Sequence, residues 1–120
     1  MKFQRTAKMM VLILLIASCS SKSKLITHKW LVSEAVISEQ KLSGELVSGF
    51  FLDLKEDGNY TLSGMSTERG VWQLSESKDS LITINEDKRK VAYFIKELTN
   101  ESLVLYDNTL GTEMITSFKK

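Results

Sequence analysis

Beyond Leu25 no stretch of this 120-residue chain repeats apolar residues at helical period between capping residues; β-branched and aromatic residues alternate with polar ones instead. That alternation confines the chain to strands and turns. Eight candidate strands follow, at residues 28–37, 45–55, 59–65, 69–76, 80–86, 90–98, 102–108 and 112–119. The segment "WLVSEAVISEQKL" within and after the first of these also fits a short helix. No proline interrupts the chain, as continuous ladders require, and most of the six glycines fall at turns or strand ends. Gly49, inside the second candidate strand, is expected to mark a bulge or bend.

The connections decide which residues share a face. A three-residue loop "EDG", with Gly58 in the left-handed position, closes the second and third strands. It opposes Leu54 to Tyr60, Leu52 to Leu62 and Phe50 to Gly64, with every apolar member on one side. A two-residue loop would scramble those faces and lose the burial of several large side chains, at about 1.5 to 3 kcal/mol each. By the same parity Trp72 and Leu74 are expected to oppose Ile82 and Ile84, and Tyr93 and Ile95 to oppose Leu103 and Leu105. Consecutive hairpins make an antiparallel up-and-down meander. Eight strands of it can close into a barrel, which removes the exposed edges of an open sheet.

The run "FLDLKEDGNYTL", then "ERGVWQL", "SLITI" and "VAYFIKELTNESLVLYD" resembles the small bacterial lipocalin-like lipoproteins. Their pattern is an Asp-Gly hairpin, a Gly-x-Trp strand, and a Tyr-x-Ile strand followed by a Leu-x-Leu strand. The resemblance covers most of residues 28 to 108. It implies an all-β, calycin-type barrel that binds small apolar molecules or partner proteins. In place of the family's Gly-x-Trp, the first strand carries His28-Lys29-Trp30.

Ahead of this domain, Lys2, Arg5 and Lys8 precede the apolar run from Met9 to Ile16, and the small residues Ala17 and Ser18 follow it. Charged, apolar and small segments in that order are those of a secretory signal. The apolar run is far shorter than the roughly 20 residues that span a bilayer. Ile16-Ala17-Ser18-Cys19 resembles the lipobox of bacterial lipoproteins, in which the cysteine is acylated and becomes the first mature residue. The expected organisation is a signal peptide at 1–18, the lipidated Cys19 and a polar tether at 19–26, and a barrel domain at 27–120. Lipidation would explain the single cysteine, since a secreted chain seldom carries one thiol without a partner. The resemblance implies three acyl chains, and more than one is what stable anchoring takes. The expected location is the cell envelope, at the periplasmic face of the outer membrane, with the membrane as a partner through Cys19.

Loss of residues 1–18 removes three of the 16 basic residues and none of the 15 acidic ones, leaving a net charge near minus two. Nucleic-acid binding, which needs a basic excess, is not expected. Nor is catalysis: His28 is the sole histidine, no free cysteine accompanies it, and no Gly-x-Ser-x-Gly is present. One histidine and scattered carboxylates suggest neither a metal site nor a cofactor.

The expected barrel interior is Trp30, Phe50, Leu52, Tyr60, Leu62, Trp72, Leu74, Ile82, Tyr93, Ile95, Leu103 and Leu105. These residues either line a cup for a small apolar or amphipathic ligand, with Tyr hydroxyls and Trp N–H groups orienting its head, or simply fill a narrow barrel. On the opposite parity Phe51, Val71, Phe94, Val104 and Tyr106 form a second apolar set. It is either a docking patch for an envelope protein, to which the chain would be inhibitor, chaperone or assembly subunit, or a surface covered by other parts of the chain.

Overall fold

The computed structural model describes residues 22–109 and 111–120; the expected signal peptide and Cys19 lie outside the described residues. Nine strands follow in order: β1 (Lys29–Ile37), β2 (Gln40–Ser43), β3 (Phe51–Leu54), β4 (Asn59–Ser63), β5 (Thr67–Leu74), β6 (Ser80–Asn85), β7 (Lys90–Leu98), β8 (Ser102–Asp107) and β9 (Met114–Lys119). From β3 to β9 each strand pairs antiparallel with the next, and β1 pairs with both β3 and β9. The eight strands other than β2 therefore close into a barrel, the expected architecture. The segment "WLVSEAVISEQKL" is two strands and their turn rather than helix.

The hairpin of β3 and β4 has the register read from its turn: Leu54 opposes Tyr60 and Leu52 opposes Leu62. Lys55 N–H donates to the Asn59 carbonyl at 2.9 Å, and Gly58 takes φ +91°. A left-handed residue is what this three-residue closure demands.

Three expectations are corrected. The second candidate strand does not begin at 45, because the chain first folds back on β1 as β2. The two-residue turn at Ser38 and Glu39 has φ 50° and 68° and seats Ile37 opposite Gln40. Mirror-type turns of this kind normally announce themselves by Asn-Gly, and Ser-Glu gives no such signal. A 3-10 turn at Gly44–Val47 then packs against β1 and β2 with Val47 buried, and Gly49 lies at φ +81° in the connection ahead of β3, not within a strand.

The second correction concerns β6. Leu74 opposes Leu81, Trp72 opposes Thr83 and Val71 opposes Ile84, so Leu81 and Thr83 face inward while Ile82 and Ile84 face outward. The turn sets this register: Ser75 N–H donates to the Ser80 carbonyl, with Lys78 at φ 64°. The third is a bulge between Ile95 and Glu97. Of the expected pairs, Ile95 does face Leu105, but Leu98 takes the place opposite Leu103 and Tyr93 lies beyond Leu105 toward the other end of the strand.

The core gathers at one end of the barrel. Trp30, Leu52, Leu54, Tyr60, Leu81, Leu103, Leu105 and Phe118 are buried there with Ile26, each large side chain contributing about 1.5 to 3 kcal/mol. Residues 22–26, expected as tether, are helical, and Ile26 is wholly buried. Trp30 Nε1 donates to the Ile26 carbonyl at 2.9 Å, and Trp72 Nε1 to the Lys55 carbonyl at 2.9 Å. The helical turn, the two indoles and the β3–β4 turn thereby shut this end.

Candidate functional site

At the opposite end, near the turns at 64–66, 86–89 and 108–113, the inward-facing residues are no longer sealed. Leu62, Glu68, Asn85, Val91, Tyr93 and Met114 all stand at inward positions and all keep part of their surface exposed. Among the described residues, then, the barrel is closed at one end and partly exposed to solvent at the other, its mouth.

A hydrogen-bonded group organises that mouth. Glu68 and Gly70 share the inward face of β5, and Tyr60 pairs with Gly70 across the β4–β5 ladder. The Tyr60 hydroxyl thereby reaches Glu68 Oε2, to which it donates at 2.7 Å. Asn85 Nδ2 donates to Glu68 Oε1 at 3.3 Å. The same Asn85 shapes the rim: its Oδ1 accepts the N–H groups of Asp87 and Arg89, each at 2.9 Å. One asparagine thus ties the position of the rim turn to the carboxylate inside.

Gly70 is what lets these strands meet. A Cβ there would lie 2.7 Å from Asn85 Cα and overlap the Ile84 carbonyl, so no other residue fits without moving β6.

Thr83 lies at the floor of the mouth, 2% exposed, flanked by Trp72 on β5 and Val91 on β7. Its Oγ1 is buried without a hydrogen-bond partner. A hydrogen bond from this hydroxyl to the Tyr60 or Tyr93 oxygen favours the ionised form of either ring, but neither oxygen sits in full hydrogen-bond geometry with it. Buried polar groups are nearly always paired with protein or water, so this hydroxyl is a position that a water or a ligand group can fill.

The electrostatics follow from burial. Desolvation, then the hydrogen bond and charge of Glu68, hold the Tyr60 hydroxyl well above its ordinary 10. The Tyr93 hydroxyl is pushed up to about 12 by burial, with the negative charges of Asp107 and Glu68 adding to it. Asp107, inward on β8, is likewise raised by burial, while the Thr109 N–H and the Arg89 charge pull it back.

The expected interior residues divide between the two ends and the outside. Trp30, Leu52, Tyr60, Leu103 and Leu105 are buried; Leu62, Trp72, Leu74, Tyr93 and Ile95 pack on that core half-buried. Phe50 stands beside Gly64, as the hairpin parity required, but outside the core cluster. Ile82 is on the outer face, so it does not line the interior. Glu68, Thr83, Asn85 and Asp107 are the mouth residues that the sequence reading missed. Glu68 had a visible signal, since it shares its parity with Gly70, Trp72 and Leu74.

Of the expected outer set, Val71 and Phe94 are the exposed members, and Phe51, Val104 and Tyr106 are half-buried. Val71 is 50% exposed and Phe94 48% exposed, and Phe94 pairs with Tyr106 on the same face. Phe51 is partly covered by Lys29, whose Nζ lies 4.4 Å from the ring centre. At the closed end an open groove of about 480 Å³ is lined by Lys24, Leu25, Thr27, His28, Asn100 and Lys120.

No family model and no curated protein matches the chain. Solved structures do. A lipocalin-like protein from Bacteroides uniformis superposes with a TM-score of 0.60 at 15% identity, covering 79% of this chain and 97% of that one. The barrel is lipocalin-like. A DUF4847 family protein from Bacteroides vulgatus matches this lipocalin-like barrel with a TM-score of 0.56 at 14% identity, over 82% of this chain and 96% of that one. An uncharacterized protein from Bacteroides eggerthii matches with a TM-score of 0.58 at 13% identity, over 78% of this chain and 98% of that one. At these identities the likeness concerns the fold, and the lipocalin-like mouth must be read from its own residues.

Proposed function

We propose that the chain is a lipid-anchored protein of the cell envelope that holds a small amphipathic ligand at the mouth of the barrel, with its polar head among the hydrogen-bonding side chains there. The observation that carries this reading is the Thr83 hydroxyl, buried beside two tyrosines and left without a hydrogen bond of full geometry, beneath the partly exposed end of the barrel. Ligand pockets combine apolar walls with a few fixed polar groups, and Leu62, Val91 and Met114 beside Glu68, Asn85 and Thr83 supply both. The anchor is Cys19, acylated after removal of residues 1–18, at the periplasmic face of the outer membrane. The role is binding without catalysis. In support, the only histidine, His28, packs edge-on against Trp30 with ring centres 5.6 Å apart, at the end of the barrel away from Thr83.

The test is native mass spectrometry of the full-length chain extracted from envelopes in nanodiscs. A discrete added mass that leaves on denaturation, on a polypeptide starting at an acylated Cys19, is the expected result. A bare protein that also ignores a panel of small amphiphiles would refute the cup.

A second reading keeps the anchor and moves the function outside. Val71, Ile82, Ile84, Ala92, Phe94 and Tyr106 form a connected apolar band across the outer face of β5 to β8, through the cross-strand pairs Val71–Ile84, Ile82–Ala92 and Phe94–Tyr106. Such a band suits docking to an envelope protein.

A further inference from the structure

The mouth is unevenly supplied with hydrogen-bonding capacity. Glu68 accepts from Tyr60 and from Asn85, one bond at each oxygen, and a carboxylate offers about four acceptor positions. Asp107 accepts from the Thr109 N–H at 3.4 Å. Among the described residues neither carboxylate makes an ion pair; the ion pair present, Lys41 with Glu34, lies on the β1–β2 hairpin. Arg89 is the cation whose charge reaches Asp107 and Tyr93, and it stands exposed on the rim turn. Two carboxylates therefore face the interior with acceptor positions to spare. The Thr83 hydroxyl, buried and unpaired, adds a further acceptor below them. Tyr93, inward on β7, adds an aromatic wall to the same interior.

What would satisfy this arrangement is a group with several N–H donors and a positive charge. A carboxylate or phosphate head would bring a third negative charge into a partly desolvated site and leave the spare acceptors unfilled, which works against it twice. We propose that the mouth selects amphiphiles with a cationic, hydrogen-bond-donating head, in simplest form a primary alkylammonium, with Glu68 and Asp107 receiving the head and Thr83 Oγ1 completing its hydrogen bonds. This rests on the barrel being a ligand cup and adds the chemistry of the head.

The experiment uses the full-length chain in nanodiscs and three probes with one tail: hexylamine, hexanol and hexanoate. Binding is measured at pH 7 by equilibrium dialysis against empty nanodiscs. At that pH the amine is cationic and the acid anionic. Hexylamine should bind at least about tenfold more tightly than hexanoate, with hexanol between them, since charge-assisted hydrogen bonds are worth roughly such a factor. Glu68→Gln and Asp107→Asn should each shrink the amine-to-acid ratio at least about threefold. The ratio is compared within one protein, so a general loss of folded material does not move it, and either variant serves if the other fails to fold. Hexanoate binding as tightly as hexylamine would overturn the inference and leave the cup standing. A ratio unmoved in both variants would overturn it as well. If none of the three binds, the cup falls and the inference with it.

Discussion

A threonine hydroxyl buried without a partner costs the folded state about 1 to 3 kcal/mol, and Thr83 is in that position. Valine has nearly its shape and no polar atom. Thr83→Val should therefore raise stability by about 1 kcal/mol, moving the melting temperature up by roughly 4 to 8 °C in a domain of this size, while weakening any ligand that bonds to the hydroxyl. A lower melting temperature would show that the hydroxyl is already paired. The tyrosines give a second residue-level expectation. All three ionise above their ordinary range, and Tyr93 does so only near 12. An unfolded chain sheds these protons near pH 10 and the folded one does not, so stability should fall as pH rises from 10 toward 12. Ultraviolet titration should show no tyrosine ionising at its ordinary value until the barrel opens; a tyrosine titrating near 10 in the native protein would contradict it. At this scale the sequence was readable where parity and chemistry agreed. Tyr60 and Tyr93 were recognisable as inward aromatics. Thr83 and Asn85 were not, because "SLITIN" offers apolar residues on both parities, and the more hydrophobic pair, Ile82 and Ile84, turned out to form the outer surface.

Among the elements, β5 and β6 carry the tightest contact. Gly70→Ala would drive a methyl group into the backbone of Ile84 and Asn85. A clash with a strand's main chain cannot be relieved by a rotamer change, so the expected loss is about 3 kcal/mol or more. Urea unfolding would measure it, and a loss under about 1 kcal/mol would mean that β6 moves aside freely. The elements also mark where reading the sequence stopped. The β3–β4 hairpin was legible to the residue because its glycine and its apolar parity demand one loop length. The β1–β2 turn, the bulge after Ile95 and the β5–β6 register were not. The two turns hold Ser38, Glu39 and Lys78 in left-handed backbone conformations that these residue types do not advertise, and the bulge shifts the register by a residue that no local signal marks.

For the whole molecule, the barrel does not start at its first strand. Ile26 is fully buried and accepts the Trp30 indole N–H, so the segment after the expected anchor is part of the core. Ile26→Ala should cost about 2 to 4 kcal/mol in urea unfolding; a cost under about 0.5 kcal/mol would make residues 22–26 a mere tether. The outer band should behave in the opposite way. Val71→Lys with Phe94→Lys should shift stability by no more than about 1 kcal/mol, since both side chains are already half in water. Collapse of the fold in that double variant would reveal a face covered by the chain itself. The pairing of β1 with β9 sets Leu31 beside Lys119, so the first strand is completed by one that lies more than 80 residues further along the chain. Closing a loop of that span carries a large entropic cost, met only when the far end arrives. Until β9 is in place, the β1 edge from Leu31 to Ile37 stays open to pairing with the wrong partner, so the interval before β9 docks is when this barrel is most exposed to misassembly.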